Sequence, residues 1–214
     1  MTHIVVSHIY KHLNLYDIIT NLQHGFRGGF CCETQLIIAT HDWASILNSC
    51  VQVDAIMLDF STAFDRVSHA KLIHKLISAK TLLWLTGFLS NRTQFVIVDG
   101  SHSSHMAVTP GVPQGTVLGP TLLLLFINGI VNHRNSNMRI FADDEVVYSE
   151  ISSVSDHTDL HHDLHSLESW AQTWQISSNI SKCQYLSISN MNNSSAYDYT
   201  LNSQHPFLIA EYDY

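Results

Sequence analysis

The sequence predicts an α+β fold, an antiparallel sheet with helices on one face. Three observations carry this. Helix-patterned and strand-patterned segments alternate along the chain. The stretch Val51 to Phe60 is almost continuously apolar, as a strand buried on both faces would be. Two short apolar strands flank Asp143-Asp144, which makes a hairpin with a carboxylate pair at its tip.

Taken in order, His3 to Leu22 carries apolar residues at helical spacing and reads as a helix plus a turn. Gly25 to Gly29 is a loop, because its glycines oppose regular structure. Glu33 to Leu47 reads as a helix with Leu36, Ile37, Thr40, Trp43, Ala44 and Leu47 on one face. The buried strand then ends on an acid, Asp59. Ser68 to Leu76 is helical and extends towards Leu83. Gln94 to Val98 is a strand, Asp99-Gly100 its hairpin turn, and Met106 to Val108 its partner. Pro110 to Gly115 is a rigid loop, and Thr116 to Ile130 an apolar helix with Leu122 to Ile127 buried. Met138 to Phe141 and Glu145 to Tyr148 form the acid-tipped hairpin. Asp156 to Trp174 is a helix with Leu160, Leu164, Leu167 and Ala171 in register. Tyr185 to Ile188 is a last strand, and beyond Asn190 the chain is polar and patternless, a truncated or disordered tail.

With 214 residues the chain suits one domain, or one with part of a second. Its 45% hydrophobic and 13% charged residues mark it as globular. Lys and Arg number 10 against 18 Asp and Glu, a formal charge of -8. That balance counts against a self-sufficient nucleic-acid enzyme, which would show a basic face. Cys31 and Cys32 are adjacent and no C-x-x-C spacing occurs, so the cysteines read as reduced thiols of an intracellular protein, nuclear or cytoplasmic. The N-terminal segment lacks the basic start of a signal peptide. The longest apolar run, Leu122 to Ile127, falls far short of the ~20 residues that span a bilayer, so no membrane is expected as a partner.

Chemistry concentrates on three acids. Asp59 closes an apolar strand, and Asp143 and Asp144 sit at a tight turn. Carboxylates gathered in such a setting are costly to desolvate unless positive charge meets them. Hard cations with oxygen preference, Mg²⁺ above all, solve that problem, and two ions ~4 Å apart can activate an attacking hydroxyl and stabilise a leaving group. An Asp pair at a turn is, taken alone, equally well turn chemistry.

The surroundings of the acids narrow this. The run Leu58-Asp59-Phe60-Ser61-Thr62-Ala63-Phe64-Asp65 resembles the first catalytic motif of LINE-type non-LTR retrotransposon reverse transcriptases. Pro110-Gly111-Val112-Pro113-Gln114-Gly115-Thr116-Val117-Leu118-Gly119-Pro120 resembles their second, and Phe141-Ala142-Asp143-Asp144 their third. Gln23-His24-Gly25-Phe26-Arg27, Cys32-Glu33-Thr34-Gln35-Leu36 and Phe88 to Gln94 are similar to segments of the same family, as are Trp170 to Trp174 and Ser181-Lys182-Cys183. Each motif is weak, but the ordered set over residues 8 to 190 is specific.

The resemblance implies the palm of a right-hand polymerase at 51–190, a partial fingers segment at 1–50 and a tail at 191–214. It implies RNA-directed DNA synthesis on an RNA template and DNA primer, with dNTP as substrate. Asp59, Asp143 and Asp144 would hold two Mg²⁺ ions, with Mn²⁺ as an alternative. Phe60 and Phe64 would line the nucleotide site, Phe64 excluding a 2′-hydroxyl by bulk. Gln114 and Gly115 would border nucleotide and template, Arg27 would face the phosphates, and Lys182 would contact or protonate pyrophosphate. Phe64 as a core residue, Gln114 as a brace for its loop and Lys182 as a solvated surface lysine are the plainer readings.

Some features depart from the family. Gly28-Gly29-Phe30 stands where basic residues usually follow Gly-Phe-Arg, the segment between Leu76 and Trp84 is short, and Glu145 adds a carboxylate beside the acid pair. Against the family pattern, thumb and endonuclease domains are expected to be missing. With the acidic balance, these features suggest a truncated or decayed copy, so a non-catalytic remnant is the alternative function and another two-metal palm enzyme, such as a nucleotide cyclase, the second. His157, His161 and His165 share a helix face and read as a solvated stripe, with a Zn²⁺ site as the lesser alternative.

Overall fold

The computed structural model describes residues 2–75, 79–132, 135–190, 197–205 and 207–213. Helices α1 (Thr2–Leu15) and α2 (Cys32–Asn48) precede strand β1 (Gln52–Asp59). Helices α3 (Ala63–Arg66), α4 (His69–Lys75) and α5 (Ala79–Leu89) follow, then short strands β2 (Arg92–Gln94), β3 (Ile97–Val98), β4 (Ser101–His102) and β5 (Met106–Val108). Helix α6 (Leu118–Ile127) leads to the hairpin β6 (Asn137–Phe141) and β7 (Asp144–Ile151). Helix α7 (Val154–Trp174), strand β8 (Gln184–Ser189) and strand β9 (Phe207–Asp213) complete the order. The expected continuity from Ser68 towards Leu83 falls on 76–78, outside the described residues.

The main sheet has five strands in the order β6-β7-β1-β8-β9. Its neighbours are antiparallel except β8 and β9. This is the α+β palm architecture. Strand β1 is central because its Val, Ala, Ile and Leu suit burial on both faces. Ile56 and Leu58 face one core with α6 and α7, and Val53 and Ala55 alternate to the other face, where Trp43, Ile46 and Leu47 of α2 cover them. Helices therefore cover one face as expected, and α2 adds a cap on the second. Helix α6 is apolar all round and correspondingly buried from Leu118 through Ile127 except at Pro120. No helix among the described residues is long and apolar enough to cross a membrane.

The structure corrects several local expectations. The face expected for α2 is buried only in its C-terminal half: Trp43 and Leu47 cover β1, but Leu36 and Ile37 are 62% and 65% exposed, and Gln35 and Ala39 turn inward instead. Leu36-Ile37-Ile38 is a consecutive apolar run, which cannot lie on one helix face, and the sheet selects the face carrying Trp43 and Ile46. Met106 to Val108 pairs with Arg92 to Gln94, while the Asp99-Gly100 turn joins Ile97-Val98 to Ser101-His102. Asp99 (φ 48°) and Gly100 (φ 78°) are both left-handed, as a two-residue hairpin turn requires.

Of the segment expected as a tail, the described residues 197–205 and 207–213 belong to the fold. Tyr199 and Leu201 are buried in the main core, and β9 adds a parallel strand beside β8. What anchors it is polar. Asp54 of β1 is 0% exposed, and its carboxylate accepts hydrogen bonds from Gln52 Nε2 (2.8 Å), Ser187 Oγ (2.8 Å), Tyr199 OH (2.8 Å) and Tyr185 OH (3.1 Å). His157 Nδ1 lies 3.1 Å from Asp54 and 2.9 Å from the Tyr199 hydroxyl. A buried carboxylate is tolerated only with such full satisfaction. Burial beside Asp54 also pushes the Tyr199 phenol far above its ordinary value, keeping it a donor. Of the α7 histidines expected as a solvated stripe, His165 is exposed beside Glu168, whereas His157 and His161 are covered. His157 is 1% exposed, and His161 meets Tyr197 OH (3.3 Å) and Thr200 Oγ1 (3.0 Å). Helical spacing of histidines reports a shared face but not what covers it.

Tyr199→Ala should cost about 3–5 kcal/mol in urea denaturation, as for other buried aromatics. Tyr199→Phe, which removes only the hydroxyl, should cost roughly 1.5–3 kcal/mol, the range for a hydrogen bond to a charged group. A chain ending at Asn190 that is as stable as the full one would disprove this anchoring.

Candidate active site

Backbone pairing brings the acids to one end of the sheet. Asp59 is the last residue of β1 and lies directly opposite Asp144, the first of β7. Directly opposed residues present their side chains to the same face. Asp143 precedes Asp144 in the turn after Phe141, which itself pairs with Asp144. Burial first of all raises the Asp143 pKa above its ordinary value, and the negative charge of Asp59 adds to this. The Asp144 pKa is raised by burial, then by Asp143 and Asp59. Lys182 partly offsets both.

Lys182 reaches this cluster because the chain after Asp59 is tied to the segment leading into Lys182. Ser61 N–H donates to Ser177 O (2.8 Å), and Asn179 N–H donates to Asp59 O (2.8 Å). Lys182 Nζ then stands 3.4 Å from the Asp59 carboxylate. Asp59 Oδ2 is buried, and its contact is this ion pair with Lys182 at 3.4 Å. One ammonium thus faces three carboxylates at the sheet end. Among the described residues no three His, Cys, Asp or Glu side chains form a ready-made metal site.

The acid-bearing turn is clamped from the N-terminal side, by residues to which the sequence assigned no role. Leu22 to His24 runs along β6: His24 N–H donates to Ile140 O (2.9 Å), and Ile140 N–H donates to Leu22 O (3.0 Å). Gln23, 2% exposed, then grips Ala142 at both backbone groups. Its Nε2 donates to Ala142 O (2.9 Å), and its Oε1 accepts from Ala142 N (2.8 Å) and Gly25 N (2.7 Å). Ala142 has φ 56°, a left-handed conformation that costs a non-glycine residue about 1–2 kcal/mol. Gly25 packs so closely on it that a Cβ there would fall 2.2 Å from Ala142 N. The advance signal was the Gln23-His24-Gly25-Phe26-Arg27 segment, similar to the family's, which attached a role to Arg27 but none to Gln23 or Gly25.

The remaining predicted residues separate into groups. Phe64 is half-buried and meets Phe26 edge-on, with ring centroids 6.1 Å apart. Phe64 O accepts from Val112 N (2.7 Å), and left-handed Gly111 (φ 92°) packs on the Asp65 backbone, so the Pro110–Gly115 loop docks beside Phe64. Gln114 and Gly115 are exposed at its tip, with open space around Gly115.

Phe60 needs correction as a nucleotide-lining residue: its side chain is 6% exposed, lies in the core and neighbours Trp170. Strand alternation turns it to the opposite face from Asp59. Arg27 donates to Thr20 O (2.8 Å), Gln23 O (3.2 Å) and Asn21 Oδ1 (3.4 Å) and lies over the Phe30 ring, so it braces its own loop. Glu145 is buried on the core face between Leu58 and Ile140, not beside the acid pair.

Comparison with known proteins agrees with this layout. The profile of the family described as "Reverse transcriptase (RNA-dependent DNA polymerase)" matches residues 1–207. The RNA-directed DNA polymerase from mobile element jockey of Drosophila melanogaster is 29% identical over 202 residues, which are 89% of this chain and 22% of that protein. Its Drosophila funebris counterpart is 31% identical over 184 residues, 80% of this chain and 20% of the relative. The probable polymerase from transposon X-element of D. melanogaster is 31% identical, covering 75% of this chain and 19% of its own length. The chain thus spans about a fifth of these relatives. In fold it is similar to apo telomerase from Candida tropicalis truncated from its C-terminal domain, at TM-score 0.63 and 14% identity, over 94% of this chain and 42% of that one. The chain belongs to the reverse transcriptase (RNA-dependent DNA polymerase) family, of the LINE-type non-LTR kind that its motifs resemble.

Proposed function

We propose that this chain supplies the palm, with the fingers-side segment at 1–50, of an RNA-directed DNA polymerase that extends a DNA primer on an RNA template. The observation that carries this is the cross-strand opposition of Asp59 and Asp144 with Asp143 beside them. The donor set fits the family's divalent metals. It is all carboxylate oxygen, the choice of Mg²⁺ or Mn²⁺. It is also under-compensated, since Asp143 and Asp144 titrate high and Lys182 is the ammonium that meets Asp59, at 3.4 Å.

Asp59, Asp143 and Asp144 would hold two such ions, which would activate the primer 3′-hydroxyl and stabilise the leaving pyrophosphate. The chain's own groups do the rest. Phe64, held between Phe26 and the Pro110–Gly115 loop, would bound the sugar and exclude a 2′-hydroxyl. Gln114 and Gly115 offer exposed backbone for close approach of nucleotide and template. Lys182 would exchange its contact with Asp59 for the pyrophosphate oxygens.

Template grip is the weak part. Arg27 braces its loop, Arg66 donates to Ser177 Oγ (2.9 Å), and Arg139 pairs with Asp42 (2.6 Å). Lys71 donates to Thr173 O. Lys75 donates to Phe126 O (2.5 Å), lies 4.0 Å from the Trp174 ring, and is lowered by burial to about 8. With so many cations committed inside a chain of charge -8, few remain for phosphates. Isolated, the chain should bind primer–template weakly and with a shallow salt slope, near one unit per phosphate contact. Nanomolar affinity at physiological salt would contradict that.

Joined to a basic thumb from a related enzyme, the chain should extend a DNA primer on RNA with Mg²⁺. Asp59→Asn or Asp143→Asn should reduce the rate by about 10³-fold, the several kcal/mol that metal-assisted charge stabilisation is worth. Extension that survives both substitutions would refute the site. Stability supplies a second test. Between the ordinary aspartate pKa, about 3.9, and the raised folded values, the native state holds more protons than the unfolded one, so these groups lower stability as pH rises through that window. Asp143→Asn should therefore melt a few degrees higher than the parent at pH 7 and show no such gain near pH 3. Equal melting of the two at pH 7 would show that no charge strain exists there.

A further inference from the structure

We propose that Gln23 is a positioning residue for the metal-binding carboxylates, acting through the backbone of Ala142. This rests on the polymerase site proposed above and adds a residue from the opposite end of the chain to it. Asp143 follows Ala142 directly, so the ψ of Ala142 and the peptide plane joining the two determine where the Asp143 carboxylate points. Ala142 is held left-handed, where an alanine does not rest by preference. The Gln23 carboxamide meets both backbone groups of Ala142, at 2.9 Å and 2.8 Å, as a strand partner would.

Gln23 is itself fixed. Its Oε1 also accepts from Gly25 N (2.7 Å), and the residues on either side of it pair with Ile140, two residues before Ala142. Gly25 has no room for a Cβ against Ala142. The turn is thus braced by a polar clamp and a close backbone contact from one tripeptide. Packing alone could not do this, since a methyl side chain offers little to grip and the turn's polar groups must be met in a buried setting. Outer-shell groups that orient metal ligands typically alter metal affinity about 10–100-fold when removed.

The test uses the full chain with Mn²⁺ alone as probe, its binding read by electron paramagnetic resonance and its melting by circular dichroism. Gln23→Met keeps the volume and removes both hydrogen bonds. It should weaken Mn²⁺ binding by about 10-fold. Leu164→Ala, a core change away from the turn, should lower the melting temperature and leave Mn²⁺ affinity as it was. Asp143→Asn is the reference for the site itself. Loss of affinity in both Asp143→Asn and Gln23→Met, but not in Leu164→Ala, supports the proposal. Loss in Asp143→Asn with unchanged affinity in Gln23→Met overturns the role of Gln23 and leaves the site intact. Unchanged affinity in Asp143→Asn overturns the metal site, and the role of Gln23 with it. Hydrogen exchange of the unmodified chain adds a measurement that needs no variant. The Ala142 amide should exchange as slowly as those of β6, and exchange at the rate of an open turn would overturn the clamp.

Discussion

The register of β1 against its two neighbours is the constraint on which the other features depend. Opposite β7 it places Asp59 against Asp144, and opposite β8 it places Asp54 against Ser187. Side chains alternate along a strand, so a slip of one residue would exchange the faces of all of them at once. Asp54 would leave its donors for the apolar patch under α2, and Asp59 would turn into the core. Ile56 and Leu58, which the α6 and α7 core requires, would leave it as well. Hydrophobic burial and charge placement therefore select the same pairing, which is the internal consistency expected of a sequence that specifies one fold.

Strand β1 handles its two aspartates in opposite ways. Asp54 is sealed in and surrounded by donors from β1, β8, α7 and the segment after Asn190. Removing any one donor leaves a buried charge under-satisfied, so the network behaves as a lock that recognises one arrangement of four chain segments. Asp59 is left at the strand end with one exposed lysine and two acidic neighbours. A charge cluster held short of neutralisation costs folding energy, and it is what a site built to attract cations needs. The stabilising network and the strained one lie on the same strand, so the rigid end supports the end that carries the proposed site.

Much of this could be read from the sequence because it is carried by local pattern. The apolar run of β1, the all-apolar α6, the Asp99-Gly100 turn and the acid-tipped hairpin each need only neighbouring residues to be recognised. Contacts between distant positions were not legible. Nothing in Asp54 distinguishes a buried anion from a surface one until Tyr199, 145 residues on, is seen to donate to it. The polarity of the segment after Asn190 suggested solvent, yet its tyrosines are amphipathic, with rings that suit a core and hydroxyls that suit a buried acid. Phe60 was misjudged for a related reason: membership in a motif does not state which way a side chain points, and strand alternation does.

The clamp on Ala142 shows how these lessons combine at the site. A residue with a positive φ and no side chain to satisfy it must be held from outside, and the backbone groups of a turn at a sheet end have no strand partner of their own. Gln23 supplies the missing partner with a side chain, and Gly25 supplies the close approach that lets it reach. Both lie between α1 and α2, on the side of the fold assigned to the fingers. The turn that carries Asp143 is therefore completed by residues outside the palm strands. Movement of the segment between α1 and α2 against the sheet could not leave the carboxylates unaffected, because the Gln23 side chain joins the two.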